Sequence, residues 1–230
     1  MQPYPPLETI AQRLAEQLRC EQEELCFPIL QQVSRGKFLT KAELGAVLQL
    51  DQDELERRLM QLPDTEFDQQ GNILGWGVTL VPTSHRFQIR GTPLFTWCAF
   101  DTVLFPLSLG APAHVQSTCP VTGHPIKFVV TPEGNVHDLH PAGSVLSLIV
   151  PAERRDCVRA TFCQHSLFFE SEQAASIWLT AHPEAVVLSI EDAAFGGRLV
   201  AETRFTKLLR YDPQGRLSNE STRRRRSGFG

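Results

Sequence analysis

Apolar residues recur every three to four positions along the first third of the chain. In LETIAQRLAEQL, at residues 7–18, and in EELCFPILQQV, at residues 23–33, this spacing places the apolar side chains on one face of a helix. Thr40 followed by Glu43 has the form of a capping box, which predicts a third helix ending near Leu48. The N-terminal third of the chain is therefore predicted to be mainly helical.

A fourth helix and a hairpin complete this region. The segment DQDELERRLMQL begins at Asp51 with an acidic first turn and carries its arginines later, the order that suits a helix dipole. It ends at Pro63 and is followed by TEFDQQGNILGWGVTLV, in which residues 70–72 are typical of a hairpin turn. Helices followed by a β-ribbon predict a winged-helix-like domain over residues 1–80.

The pattern changes after residue 80, where short β-rich segments alternate with apolar helical ones. Strands are predicted at 85–90, 113–117, 126–131, 144–150 and 185–189, and helices at 95–105, 152–162 and 171–180. The fold class is therefore predicted to be α+β, with the winged-helix-like part followed by a mixed core of helices and strands over residues 81–211. Residues 212–230 are rich in Pro, Gly, Ser and Asn and are expected to form a disordered tail.

Composition and charge narrow the classes of partner. The chain has 230 residues and a net charge of −4, so it carries no overall field for nucleic acid or anionic lipid. Residues 1–80 alone contain 13 acidic and 7 basic residues. The helix predicted to begin at Asp51, the candidate DNA-recognition helix of a winged-helix domain, is acidic and would repel phosphate. The four arginines at 223–226 are read as part of a solvated tail. We therefore expect no nucleic-acid partner.

Targeting features point to the cytoplasm. The N-terminal sequence MQPYPPLETIAQRL lacks the basic segment and apolar core of a secretory signal. The longest apolar stretch, at residues 95–109, is interrupted by Asp101 and Pro106 and is shorter than the roughly 20 residues of a membrane span. We expect a cytoplasmic protein without a membrane partner, and in that reducing compartment its six cysteines are expected to be free thiols.

The segment TWCAFDTVLFP places a thiol and a carboxyl group in almost wholly apolar surroundings. If the segment is helical, Cys98 and Asp101 lie on one face and address the same reacting group. Desolvation is then expected to raise the pKa of Asp101, which lets this residue hold a proton near neutral pH. The alternative is that Asp101 caps a neighbouring backbone group while Cys98 fills space in the core.

A second candidate cluster lies in TFCQHSLFF, where Cys163 and His165 are two residues apart. On a strand they share one face. They are then a thiolate–imidazole couple, a ligand pair for a soft metal, or a buried thiol beside an ordinary histidine. The chain has neither the paired cysteine spacings of structural zinc nor a glycine-rich phosphate loop, so no resident cofactor is expected.

Several separate segments together resemble one known family. The segments are GNILGWGVTL (71–80), HRF (85–87), LFTWCAFDTVLFP (94–106), CPVTG (119–123), FCQHSLFF (162–169) and EDAAFGG (191–197). In their order and approximate spacing they resemble the organomercurial lyases, also called alkylmercury lyases. The resemblance spans residues 39–197 and is strongest over 71–169.

The resemblance implies protonolysis of a carbon–mercury bond, which yields a hydrocarbon and Hg(II). It assigns the two catalytic, mercury-binding cysteines to Cys98 and Cys163, the catalytic aspartate to Asp101, and a structural cysteine to Cys119. Some relatives have a second cysteine where this chain has Gln164, so the resemblance does not extend to a vicinal dithiol. The expected substrates are organomercurials of many kinds, because Trp97, Phe100 and Phe168 offer an apolar pocket.

The same resemblance predicts how the product leaves. Hg(II) is expected to stay on the two sulfurs until low-molecular-weight thiols or a mercuric reductase remove it. Two alternatives to the lyase stay open at this point. They are a metal-responsive winged-helix regulator, which uses the cysteines only as ligands, and a protein that sequesters mercury without cleaving the bond.

Overall fold

The computed structural model describes residues 4–18, 22–150 and 158–205 as a mixed α+β fold. The helices are α1 (Leu7–Gln17), α2 (Glu23–Val33), α3 (Lys41–Leu48), α4 (Gln52–Leu59), α5 (Ala99–Leu109), α6 (Val158–Thr161), α7 (Glu172–Leu179) and α8 (Ile190–Phe205). The strands are β1 (Glu66–Phe67), β2 (Ile73–Trp76), β3 (Val78–Thr79), β4 (His85–Ile89), β5 (Thr92–Thr96), β6 (Ala113–Thr118), β7 (Pro125–Val130), β8 (Val136–His140), β9 (Val145–Leu148), β10 (Phe168–Phe169) and β11 (Val186–Ser189). None of the helices in these ranges has the length and apolar character that a membrane span requires.

Two sheets form the β part of the fold. The larger has the strand order β1-β2-β3-β5-β4-β6-β7-β8, and the smaller has the order β10-β9-β11. All of their pairings are antiparallel. Strands β4 and β6 alternate strictly between buried and exposed side chains, which is the pattern of a sheet with one face on the core. The strands predicted from this alternation are confirmed.

The N-terminal helices begin where local sequence predicts. Thr40 and Glu43 form a complete capping box at the start of α3, and Asp51 caps α4 through the Glu54 N–H. The ribbon β1–β2 follows, and β3 continues it into the large sheet by pairing with β5. Residues 1–80 therefore contribute three strands, β1 to β3, to the same sheet as the remainder of the chain.

Helix α5 is the buried centre of the molecule. Its sequence AFDTVLFPLSL is almost wholly buried, and α8 packs against it on one side while α1 packs against α8. At the crossing, a Cβ atom on Gly197 would lie 2.8 Å from the Val103 carbonyl oxygen. Only glycine allows this close approach of the two backbones.

Two predictions about local structure need correction. Residues 95–98 are not helical, because β5 extends to Thr96 and pairs there with β4, so the helix begins only at Ala99. The predicted helix at 152–162 is helical over Val158–Thr161, while residues 151–157 lie outside the described ranges. The predicted tail at 212–230 also lies outside them.

The cysteines do not all remain free. Cys98, Cys119 and Cys163 are free thiols, but Cys26 is disulfide-bonded, so the prediction of free thiols is wrong for this residue. A disulfide needs two sulfurs brought together by the fold, which spacing along the chain does not reveal. Cys20 and Cys157 lie outside the described residues.

Candidate active site

Cys98 lies at the junction where β5 ends and α5 begins. It is the N-cap residue of α5, with the extended backbone angles φ −146° and ψ 173°. The Thr96 hydroxyl donates to the Cys98 carbonyl oxygen at 2.9 Å, which fixes the turn out of the strand. Cys98 is fully buried. Its sulfur therefore sits at the N-terminal end of a helix, where backbone N–H groups favour negative charge.

Asp101 reaches back to Cys98 through a capping box. The Cys98 N–H donates to Asp101 Oδ2 at 3.2 Å, and the Asp101 N–H donates to the Cys98 side chain. The predicted proximity of the two residues is confirmed, although Cys98 caps the helix and does not lie within it. Asp101 therefore bonds to the backbone at the start of α5 and also lies beside the Cys98 thiol, so the two roles considered for it are compatible.

Cys163 arrives from a distant part of the chain in a short 3₁₀ helix, Cys163–His165. The preceding helix α6 is tied to the N-terminal region, because Asp64 Oδ2 accepts from the Val158 N–H at 2.8 Å. The expectation that Cys163 and His165 share the face of a strand is wrong, since a 3₁₀ turn separates their directions. The His165 ring contacts His182, with 5.3 Å between centroids, and not the cysteines of the site.

The structure brings Cys98, Asp101 and Cys163 into one cluster. The two sulfurs and a carboxylate oxygen all lie within 4.8 Å of one another. The exposed fractions are 0% for Cys98, 8% for Asp101 and 7% for Cys163, so any approach from solvent comes from the side of the last two. Among the described residues, no other group of three or more such side chains could hold a metal ion.

Burial makes Asp101 an acid that titrates near neutrality. Desolvation raises its pKa to about 7, against the opposing effect of hydrogen bonds from the side chain and backbone of Cys98. The positive charges of Arg204 and Arg159 also oppose the rise, but more weakly. The predicted raised pKa of this carboxyl group is therefore present, and desolvation is its cause.

The two thiols differ in which one can better carry negative charge. Burial raises the pKa of Cys98 and the charge of Asp101 adds to the rise, while hydrogen bonds from Cys163, from the Asp101 N–H and from Ser166 oppose it. For Cys163, its hydrogen bond to Cys98 raises the pKa well above the ordinary value, and burial and the charge of Asp101 add to the effect. Only Cys98 of the two caps α5, where a helix N-terminus favours negative charge.

Ser166 is a residue of this site that the sequence did not single out. It accepts from the Phe100 N–H through its hydroxyl oxygen at 2.9 Å and from the Ala99 N–H through its carbonyl oxygen at 3.1 Å. These bonds join the turn that carries Cys163 to the first turn of α5. The only signal in the sequence was a serine within an otherwise apolar stretch, SLFF.

Cys119 lies outside the cluster. It is buried at the start of a tight turn, in which its N–H donates to the His124 carbonyl oxygen at 2.9 Å. Burial raises the pKa of Cys119, but hydrogen bonds from Thr122 and from the backbone of Glu170 and Val121 outweigh it, and the net pKa is lowered. The structure thus places this thiol in a turn and not beside Asp101.

Aromatic residues directly precede both cysteines of the cluster along the chain, Trp97 before Cys98 and Phe162 before Cys163. Trp97 packs edge-on against Trp76 with 6.4 Å between centroids, and the Arg159 guanidinium lies 5.0 Å from its ring centre. Phe100 packs edge-on against Phe162, the residue before Cys163. Phe100 and Phe168 are each 1% exposed, so both belong to the core, whereas Trp97 is half-buried.

This arrangement suits a soft metal bonded to carbon. Thiolates are the side chains that prefer soft metals, and two of them within reach of one ion form a chelate. A carboxyl group with a pKa of about 7 can hold a proton beside that chelate and transfer it. An apolar environment strengthens each of these electrostatic interactions.

Known proteins resemble the chain over most of its length. The alkylmercury lyase family model matches residues 78–201. An alkylmercury lyase from Streptomyces lividans is 38% identical over 179 residues, covering 78% of this chain and 82% of the relative. Another, from Staphylococcus epidermidis, is 39% identical over 176 residues, covering 76% of this chain and 81% of the relative.

A solved structure has the same fold. The mercury-bound form of MerB2 superimposes with a TM-score of 0.70 at 21% identity, covering 86% of this chain and 98% of the other. All three residues of the buried cluster lie within residues 78–201, the range that the family model matches. The chain therefore belongs to the alkylmercury lyase family.

Proposed function

We propose that this enzyme cleaves the carbon–mercury bond of organomercurials by protonolysis, with Cys98 and Cys163 as the mercury-binding cysteines and Asp101 as the acid. The observation that carries the proposal is the buried cluster, in which both sulfurs and a carboxylate oxygen lie within 4.8 Å of one another. A single mercury atom can contact all three groups at once in such a space.

Cys98 is proposed to bind mercury first. Its sulfur caps α5 and accepts a hydrogen bond from the Asp101 N–H, and the N-terminus of a helix favours negative charge. The substrate reaches this sulfur past Asp101 and Cys163, which are 8% and 7% exposed. Asp101 enters this step protonated, the thiol proton of Cys98 passes to solvent as the sulfur–mercury bond forms, and Asp101 regains its proton from solvent after each turnover.

Cys163 then binds the same mercury atom and releases its own proton to solvent. The second sulfur pushes electron density onto the mercury-bound carbon, which becomes basic enough to accept the proton held by Asp101. The carbon–mercury bond breaks, a hydrocarbon forms, and Hg(II) remains on two sulfurs. One organomercurial cation and two thiols thus give one hydrocarbon, one mercury dithiolate and one proton.

The rate enhancement has two sources in this scheme. Proton donation by a positioned acid typically contributes about 10² to 10⁴ in rate. The remainder comes from holding the two sulfurs and the acid around one atom, which replaces encounters in solution by a fixed geometry. The burial that raises the pKa of Asp101 to about 7 keeps a large fraction of it protonated at neutral pH.

The organic group is proposed to contact the aromatic residues beside the cluster. Trp97 is the half-buried member of this set and follows β5 directly before Cys98. Flat aromatic surfaces bind alkyl and aryl groups without strict selection of shape. Broad substrate specificity is therefore part of the proposal.

Release of the product is proposed to depend on external thiols. No bound cofactor takes part, and Hg(II) leaves when low-molecular-weight thiols or a mercuric reductase displace the two cysteines. This exchange requires a supply of reduced thiols, which the cytoplasm provides. The cytoplasm is therefore the proposed location, without a membrane partner.

The N-terminal region is proposed to be a winged-helix-like domain over residues 1–80, joined to a catalytic core over 81–211 and a tail over 212–230. Helices α2 to α4 followed by the ribbon β1–β2 support this description. Helix α4 contains three acidic residues, Asp53, Glu54 and Glu56, and two arginines. Because its net charge is negative, we propose that the domain packs against the core and does not bind nucleic acid.

The function is tested by product analysis with phenylmercury. Purified protein with an excess of a small thiol is expected to release benzene with multiple turnovers. Stoichiometric binding of phenylmercury without benzene would instead identify a sequestering protein. A metal-dependent shift of a DNA fragment, again without benzene, would identify a regulator.

A further inference from the structure

Ser166 connects the two distant cysteines of the site. It lies three residues after Cys163, and it is fully buried. Its N–H donates to the Cys163 carbonyl oxygen at 3.2 Å, while its own carbonyl oxygen accepts from the Ala99 N–H at 3.1 Å. One residue thus touches the backbone on both sides of the cluster.

The Ser166 hydroxyl completes this connection. Its oxygen accepts from the Phe100 N–H at 2.9 Å, one of the N–H groups that have no partner within the first turn of a helix. A serine hydroxyl has a single proton to donate and two lone pairs. Through its bond to the Phe100 N–H, the Ser166 hydroxyl holds the first turn of α5 directly after Cys98, the residue that caps the helix.

A second buried serine supports Ser166 from the opposite side. Ser147 on β9 is fully buried, and its hydroxyl donates to the His165 carbonyl oxygen at 2.8 Å. The same oxygen accepts from the Leu167 N–H at 3.3 Å. Ser147 therefore holds both neighbours of Ser166 without bonding to α5 or to either cysteine of the site.

We propose that Ser166 is a positioning residue that holds the Cys98 sulfur beside the Cys163 sulfur, and that Ser147 supports it through residues 165 and 167. The inference rests on the proposed function, because it matters only if both sulfurs bind one mercury atom. Its physical basis is that the two cysteines are 65 positions apart and belong to separate elements. The hydrogen bonds of Ser166 span the gap between these elements.

The test is a separation of kcat from KM in Ser166→Ala. Capture of phenylmercury needs one sulfur, so KM is expected to stay near the wild-type value. Cleavage needs the second sulfur and the carboxyl group of Asp101 to be correctly placed around the mercury atom. A small misplacement of either group lowers the rate by up to about 10²-fold. We expect kcat to fall about 10- to 100-fold, and Hg(II) bound to the variant to exchange faster with a competing small thiol, because the chelate is weakened.

Two further variants separate positioning from general packing. Ser166→Thr keeps the hydroxyl and is expected to recover most of the lost kcat. Ser144→Ala is the matched control, because Ser144 is also a buried serine and its hydroxyl donates to a backbone carbonyl, that of Pro141, at 2.8 Å. It is expected to keep wild-type kcat and wild-type Hg(II) exchange even if the melting temperature falls.

The possible outcomes decide the inference. A folded Ser166→Ala variant with wild-type kcat and wild-type Hg(II) exchange overturns it. If that variant does not fold, Ser147→Ala carries the test, with a several-fold lower kcat at unchanged KM expected and an unchanged kcat contradicting the inference. Absence of benzene from the wild-type protein refutes the proposed function itself, which is a distinguishable result.

Discussion

Two helices of this protein begin with the same local geometry and place it in opposite environments. At the start of α3, Thr40 and Glu43 form a capping box on the surface, and at the start of α5, Cys98 and Asp101 form one in the core. In the surface box, hydrogen bonds from Thr40 lower the pKa of Glu43. In the buried box, desolvation raises the pKa of Asp101 to about 7.

The difference shows which factor sets the direction of the carboxyl pKa shift in a capping box. Both carboxyl groups accept a hydrogen bond from the backbone N–H of the cap residue, and that bond favours the charged form in each case. The surroundings therefore determine the sign of the pKa shift. The replacement of an oxygen cap by a sulfur cap then adds affinity for a soft metal.

The largest expected effect comes from making the buried box chemically similar to the surface one. Cys98→Ser keeps a capping side chain, since serine is a strong N-cap residue, but removes the soft ligand. We expect the variant to fold and its turnover of phenylmercury to fall by about 10⁴-fold or more, as for loss of a catalytic nucleophile. Benzene release measured by gas chromatography checks this.

The matched control is Thr40→Ser in the surface box, which is expected to leave turnover unchanged. Cys163→Ser is expected to match Cys98→Ser in turnover, because both sulfurs are needed on one mercury atom. Substantial turnover by either cysteine variant would contradict the two-sulfur scheme.

Replacement of the buried acid gives the next largest effect. Asp101→Asn keeps the shape of the side chain but cannot donate the carboxyl proton, so kcat is expected to fall about 10²- to 10⁴-fold. Both sulfurs remain, and the variant is expected to retain Hg(II) through gel filtration. Glu43→Gln is the control at the surface box, and near-normal turnover by Asp101→Asn would remove the aspartate from the mechanism.

The pH dependence of wild-type turnover reports the same carboxyl group. Its pKa is raised to about 7, so the protonated fraction falls about tenfold for each pH unit above that value. We expect kcat to decline as pH rises through about 7 wherever cleavage limits the rate. A kcat that stays level to about pH 9 would show that another group supplies the proton.

The last expected effects are on stability, and they have opposite signs in the two boxes. The folded pKa of Asp101 is about 7 against an ordinary 3.8, so its stabilising contribution is complete below the lower value and is lost as pH rises through the upper one. Asp101→Asn removes this dependence. Relative to wild type, the variant is expected to gain up to about 4 kcal/mol in free energy of unfolding as pH rises from about 4 to 8.

Glu43 behaves in the reverse way. Its pKa is lowered from 4.5 in the folded state, so its contribution is present above that value and is lost as pH falls through the folded pKa. Glu43→Gln is therefore expected to destabilise the protein at neutral pH and to have less effect in acid. Urea unfolding of both variants, from about pH 8 down to values below the ordinary pKa of Glu43, checks the two signs. The same dependence of unfolding free energy on pH in both variants would contradict the comparison.

Local signals in the sequence predicted local structure well. The capping box at Thr40 and Glu43 and the acidic start at Asp51 determine helix ends through neighbouring residues, and both helices begin there. The closeness of Cys98 and Asp101 is also local, since three residues separate them. The predicted start of α5 was wrong because a continuous apolar run does not distinguish a buried strand end from a buried helix.

Features that depend on tertiary contacts could not be predicted from the local sequence. Helix α8 contains Gly196 and Gly197, which disfavour helix in isolation, yet Gly197 is needed for the close approach to α5. The convergence of Cys163 with Cys98 followed only from the family resemblance. The bonded state of Cys26 and the role of Ser166 depend on partners that no spacing in the chain identifies.

The continuity of the large sheet has a consequence for shortened forms of the enzyme. Strand β3 pairs Val78 with Thr96, two residues before Cys98. A truncated chain that begins at residue 81 would leave β5 as an open edge, and unpaired edges recruit strands from other molecules. Such a fragment would be prone to aggregate through the segment that leads into Cys98.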